Sequence, residues 1–186
     1  GVIIATPNHW HALNAVEAAK NGKDIYLEKP LARTIGEGQA IVRAVRRYGR
    51  ILQVGSMQRS DTTFHHACEL VRNGRIGKLE KIEVILPKQP KGPGNPAPQE
   101  VPKELDYDMW LGPAPEAPYT KDRVHFNFRW IWDYSGGIIC DWGAHLFDTA
   151  QWANDTERSG PVEIDGKGTH WEGGLYDTVK DYDVTY

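Results

Sequence analysis

Cysteine is scarce in this chain: Cys68 and Cys140 are the only two in 186 residues, and they lie far apart. That count excludes a disulfide framework and is compatible with a reducing compartment. No apolar run approaches the roughly 18 residues that a bilayer-spanning helix needs. There is no basic block, and the formal net charge is -3, so the electrostatic footprint of a nucleic-acid binder is missing. The chain starts inside an apolar strand pattern rather than a signal peptide. A cytoplasmic location without nucleic-acid or membrane partners is therefore the expectation. His9 and His11 have no acidic or cysteine partner at ligand spacing, so no metal is expected.

What is present is an ordinary globular balance, 40% hydrophobic and 25% charged. The length permits a real core. Seven Trp and eight Tyr are many for this length. Aromatic faces line carbohydrate sites but also fill cores, and the core reading comes first for most of them.

The first third has a regular rhythm. Val2 to Thr6 is a continuous apolar run of the kind found in buried parallel strands. Ala12 to Lys20 reads as a helix, with Gly22 as its stop. Asp24 to Leu27 is the next strand. Thr34 caps a helix to about Tyr48, with Glu37 at capping-box spacing, and Gly49 ends it. Ile51 to Gly55 is a third strand. Strand and helix alternating in this way predict a doubly wound parallel sheet.

The pattern then changes. Asp61 caps a helix through Val71, stopped near Gly74. Lys78 to Leu86 alternates as a strand, and the Pro-rich stretch Pro87 to Pro102 reads as a loop or lid. An aromatic segment, Phe126 to Tyr134, precedes a Gly-Gly pair and a helix to about Ala153. Pro161 to Gly168 and Val179 to Tyr186 read as strands of a second, largely antiparallel sheet. The predicted fold class is thus α/β: a partial doubly wound sheet in residues 1–59, followed by an α+β part in residues 60–186.

Two stretches carry chemistry. Asp141, His145 and Asp148 stand at i, i+4 and i+7, one face of a helix, behind Gly136-Gly137. Two carboxylates and an imidazole on one stripe are a candidate acid/base set. Upstream, the run Asp24-Ile25-Tyr26-Leu27 ends in Glu28-Lys29-Pro30, a charged pair at the C-terminal end of a strand, where open parallel sheets bind ligands. Each residue has a plainer reading beside this one. Lys29 can be an exposed lysine paired with Glu28. His145 can be a helix-face histidine beside a carboxylate. Asp148 can bind substrate or pair with a cation. Asn8 can cap the following helix or touch a cofactor. Gly143 admits the close approach of another backbone or a ligand.

In this order, Glu28-Lys29-Pro30 and Gly136-Gly137…Asp141-x-Gly143-x-His145-x-x-Asp148 resemble the motifs of the Gfo/Idh/MocA family of NAD(P)-dependent oxidoreductases. Thr6-Pro7-Asn8-His9-Trp10-His11 resembles the segment after the fourth strand of that family's nucleotide-binding domain. The resemblance implies NAD or NADP as cofactor and a sugar, inositol or related polyol as substrate. A secondary alcohol is then oxidised reversibly to a ketone. It implies Lys29 at the cofactor–substrate junction, a cis peptide before Pro30, His145 as proton acceptor and Asp141 orienting the imidazole or holding substrate.

Cofactor contacts are expected from Thr6, Asn8, His11, Glu28, Lys29, Pro30 and Arg59, the last placed just after the third strand. Substrate contacts are expected from Lys29, Arg123, Asp141, His145 and Asp148, with His125 and Arg129 as further loop candidates. A homo-oligomer packed through the second sheet is also implied. An enzyme that cleaves glycosides by transient oxidation and elimination is the second reading; a non-catalytic sugar-binding or structural subunit is the third. The glycine-rich phosphate turn and its acidic partner are absent, and Gly36-Glu37-Gly38 sits inside a helical pattern. The sequence therefore reads as an internal fragment, truncated at both ends, and the residues that select NAD against NADP are expected elsewhere.

Overall fold

The computed structural model describes residues 1–87 and 92–186. Three short strands, β1 (Val2–Ile4), β2 (Ile25–Leu27) and β3 (Leu52–Val54), form a parallel sheet in that order. Val2 lies beside Ile25, and Ile25 beside Leu52. The crossovers are helices α1 (Asn8–Lys20) and α2 (Ile35–Arg47). Both pack on the face that carries Ile4, Ile25 and Leu27, together with Ala12, Ala15, Ala19, Ile41 and Ala44. The alanines repeat along one stripe of α1, and their small side chains let the helix lie close to the sheet. The opposite face is open, with Ile3 80% exposed. The apolar run at Val2 thus alternates in burial instead of being covered on both faces.

Local chemistry explains the boundaries. Thr34 Oγ1 accepts from Glu37 N–H at 3.2 Å and Glu37 Oε2 accepts from Thr34 N–H at 2.9 Å, the expected capping box of α2. Asp61 caps α3 (Thr62–Arg72) by accepting from the N–H groups of Thr63 and Phe64. Helix α1 starts at Asn8, four residues before the expected Ala12. Pro7 stands at its N-cap with no cap bond from a side chain, so the Thr-Pro-Asn-His segment reads locally as a loop. Capping by Asn8 is not seen: its amide donates to Ser135 Oγ at 2.8 Å.

Residues 78–86 form no strand. The step from Leu79 to Ile82 is three residues, which breaks the alternation, and no strand among the described residues lies beside it. Of the Pro-rich stretch, residues 88–91 lie outside the described residues, and residues 92–102 have no helix or strand.

A second core is aromatic. Tyr107, Tyr119, Phe128, Trp130, Tyr134 and Tyr176 pack with Leu111, Val124, Ile131 and Ile138. It is built from α4 (Tyr107–Leu111), a 3-10 turn at His125–Trp130 and α5 (Gly137–Ala153). The core reading holds for these rings, whereas Trp132 and Trp142 are exposed. Strands β4 (Asp165–Thr169) and β5 (Asp181–Thr185) pair antiparallel, shorter than expected because residues 161–164 stay outside the ladder. No helix among the described residues is long and apolar enough to cross a membrane.

Candidate active site

The parallel sheet aims the ends of β1 and β2 at a cavity of about 290 Å³. One wall comes from those ends and the start of α1: Ala5, Thr6, Pro7, Asn8, His11, Glu28 and Lys29. The other comes from the aromatic part: Phe128, Arg129 and Asp141. The bond between Lys29 and Pro30 is cis. Pro30 is joined to the site through its carbonyl oxygen, which His11 contacts at 2.7 Å.

Lys29 and Asp141 meet across the cavity. Lys29 Nζ lies 2.5 Å from Asp141 Oδ1 and donates to the Asp141 main-chain oxygen at 3.3 Å. Arg129 Nε takes the other carboxylate oxygen at 3.3 Å. The Arg129 guanidinium also stacks on Phe126, 4.2 Å from the ring centroid, and donates to the Phe126 carbonyl at 3.0 Å. Asp141 is 8% exposed, and an ionised carboxylate that far from water needs cations on both oxygens. An ammonium has three N–H donors. Two of those on Lys29 go to Asp141, and the third has no partner among the described residues. A donor is thus left over at the cavity.

Glycine sets the approach of α5. Gly137 has φ +68°, and a Cβ there would lie 2.8 Å from Thr178 Oγ1. At Gly143 the ring of Phe147, from the same helix, lies 2.7 Å from where a Cβ would stand, with the Leu86 side chain 3.5 Å away.

His145 is one turn beyond Asp141, with its ring beside Trp142. It is not part of the cavity lining. Its Nδ1 is buried without a hydrogen-bond partner. Burial first, and then the Lys29 ammonium, push the His145 pKa below its ordinary 6.5; Asp141, Glu28 and Asp148 oppose that shift. The ring is held toward its neutral form.

Besides Pro30 and His145, the expected residues Arg59, Asp148 and Arg123 are also absent from the cavity lining. Arg59 Nε and Nη2 fork onto Asp148 at 2.7 and 2.8 Å. Arg59 also pairs with Glu157 and lies over Trp152. The bonds to Asp148 are the largest reason that the Arg59 pKa is raised. A planar guanidinium matches a carboxylate in two bonds, and the pair satisfies itself. Arg123 donates to Tyr134 Oη and the Pro118 carbonyl, both at 3.1 Å. Of the loop candidates Arg123, His125 and Arg129, Arg129 is the one in the cavity lining. The signal for it was an arginine set among aromatics just before the Gly-Gly pair. Ser135, the partner of Asn8, had no signal.

Comparisons with known proteins agree with this geometry. Residues 1–56 match the family model "Oxidoreductase family, NAD-binding Rossmann fold" (GFO_IDH_MocA), and residues 88–186 match "Oxidoreductase family, C-terminal alpha/beta domain" (GFO_IDH_MocA_C2). The chain is 35% identical over 167 residues to the uncharacterized oxidoreductase YrbE of Bacillus subtilis (strain 168), covering 90% of this chain and 38% of that protein. It is 42% identical over 77 residues to scyllo-inositol 2-dehydrogenase (NAD(+)) of the same organism, covering 41% of this chain and 22% of that one. The WlbA dehydrogenase from Bordetella pertussis, solved with NADH and UDP-GlcNAcA, shares the fold at a TM-score of 0.66 and 20% identity. That likeness covers 97% of this chain and 42% of the solved one. The chain thus spans well under half the length of these relatives. The C-terminal match alone takes in more than half of its residues, and with both matches in chain order the chain belongs to the Gfo/Idh/MocA oxidoreductase family.

Proposed function

We propose that this chain forms the cofactor–substrate junction of an NAD(P)-dependent oxidoreductase that interconverts a secondary alcohol and a ketone on a sugar, inositol or related polyol. The observation that carries the reading is the Lys29–Asp141 contact, which joins motifs 112 residues apart across a cavity at the end of a parallel sheet. The cavity fits the nicotinamide end of a dinucleotide. It lies at the strand ends, where open α/β sheets hold such ligands, and it combines main-chain turns with a lone ammonium donor. Thr6, Asn8, Glu28 and Lys29 would hold that end, with His11 in the pocket wall. When bound, the nicotinamide supplies or takes the hydride.

The side chains divide the remaining work. Asp141 fixes the Lys29 ammonium, and the free N–H of Lys29 stabilises negative charge on the reacting oxygen. His145, kept neutral by burial, takes the hydroxyl proton in the oxidation direction. Arg129 holds the second Asp141 oxygen, so that Asp141 stays directed at Lys29. The name of the inositol dehydrogenase relative supports a carbohydrate or polyol substrate. The exposed β4–β5 hairpin supports a homo-oligomer assembled through it.

The test is oxidation of an inositol and aldose panel by the holoenzyme, followed by nicotinamide absorbance. Polyol-dependent reduction of NAD or NADP that disappears in Lys29→Ala is expected. Reduction that survives intact in that variant moves the chemistry away from this cavity.

A further inference from the structure

His11 is 1% exposed, and both nitrogens of its ring face main-chain oxygens. Nδ1 lies 2.7 Å from the Pro30 oxygen and Nε2 lies 2.9 Å from the Thr6 oxygen. These carbonyls belong to the turns that leave β1 and β2, the turns that bring Thr6 and Lys29 to the cavity. The β1–β2 ladder stops just before them, with Glu28 N–H donating to the Ile4 oxygen at 2.9 Å. Beyond that bond, no main-chain hydrogen bond joins the two turns among the described residues. His11 takes over where the sheet ends.

Carbonyl oxygens only accept, and a neutral imidazole has one N–H and one lone pair. In the neutral ring one nitrogen lone pair would therefore point at an oxygen lone pair, on a side chain with only 1% of its surface exposed. Turning the ring over puts carbon atoms opposite both oxygens and satisfies neither. Only a ring with hydrogen on both nitrogens makes both bonds. Glu28 and Lys29 on the near wall, and Arg129 and Asp141 on the far wall, are the charged groups around the same cavity. His9 lies two residues earlier on α1.

We infer that His11 is a positioning residue: as an imidazolium that donates to the Thr6 and Pro30 carbonyls, it fixes the two turns against each other and so sets where the Lys29 ammonium points. Its effect on turnover rests on the reading of Lys29 given above; the tie itself does not.

Nitrogen NMR of the histidine-labelled chain near neutral pH tests the tie directly. Both His11 ring nitrogens are expected to carry hydrogen and to show couplings to carbonyl carbons. A His11 ring with one bare nitrogen in the folded chain overturns the inference. Turnover of the holoenzyme tests the consequence. His11→Phe keeps the volume and donates nothing, and should lower turnover by roughly tenfold or more, the scale of a small misplacement at a reacting centre. His11→Gln retains one donor and should recover part of the loss. Parental turnover in His11→Phe overturns the positioning role, provided that Lys29→Ala is impaired. If Lys29→Ala is also unimpaired, the reading of the cavity fails while the NMR result still decides the tie.

Discussion

Asp141 and Asp148 sit on the same helix, about 10 Å apart by helical rise, and each is held by a cation from a distant part of the chain. Their surroundings make them different objects. Around Asp148 the charges close on themselves: Arg59 forks onto it and also pairs with Glu157, while Arg72 pairs with Glu157 and Asp155. Around Asp141 the circuit stays open, because Lys29 keeps a free donor beside an accessible cavity. A stripe of titratable residues on a helix is therefore not yet a site. The donor left over on Lys29 is what separates the two clusters.

Substitutions at the two clusters should separate chemistry from stability. The largest effect is expected at His145. His145→Asn should slow oxidation by the holoenzyme roughly 10²- to 10⁴-fold, the range for a positioned acid/base. In the parent, the rate should rise with pH along a limb below the ordinary histidine value, because burial and Lys29 lower the His145 pKa. That limb should vanish in the variant, and transient kinetics across pH would show it; an unchanged limb assigns the proton to another group.

Lys29→Ala comes next, with a loss of roughly 10²-fold or more in turnover per folded molecule. Lys29→Arg should rescue little, since a planar guanidinium does not replace a compact ammonium. At the closed cluster, Arg59→Ala should show the reverse. Stability should fall by about 1 kcal/mol, as expected for a partly exposed pair, with turnover per folded molecule kept. Denaturant titration and active-site titration on the same samples would reveal a mismatch.

The smallest effect is on the pH dependence of stability. His9 and His145 both have pKa values lowered chiefly by burial, so the unfolded chain binds protons that the folded chain does not. Each of these two histidines should then cost the folded state stability as pH falls below the ordinary histidine value of about 6.5. In His9→Gln that slope should be shallower, measured as melting temperature between about pH 8 and about pH 5, on either side of that value. An identical slope would remove His9 from the account.

The sequence made local features readable. Gly22, Gly49, the Thr34–Glu37 box and the Asp61 cap each act within a few residues, and each stands where expected. Glu28-Lys29-Pro30 and the Gly-Gly helix were readable as chemistry, and they do meet. What the sequence hid is set across distance. Arg59 and Asp148 are 89 residues apart, and nothing in either neighbourhood shows that they answer each other. Asn8 looked like a cap because a cap is a local event; its partner, Ser135, lies 127 residues on. The strand expected at Lys78–Leu86 had the right residue types, but strands exist only in pairs.

The first turn of α1 touches both cores. Asn8 donates to Ser135, His9 bonds to the Trp110 carbonyl at 2.9 Å, and the alanines of the same helix are buried under the parallel sheet. His9 also lies between the rings of Trp110 and Tyr134. Loss of either core strips that turn of half its partners. The aliphatic and aromatic parts are thereby thermodynamically coupled, and calorimetry should record their melting as one cooperative event. The walls of the cavity, contributed by both parts, come apart together or not at all.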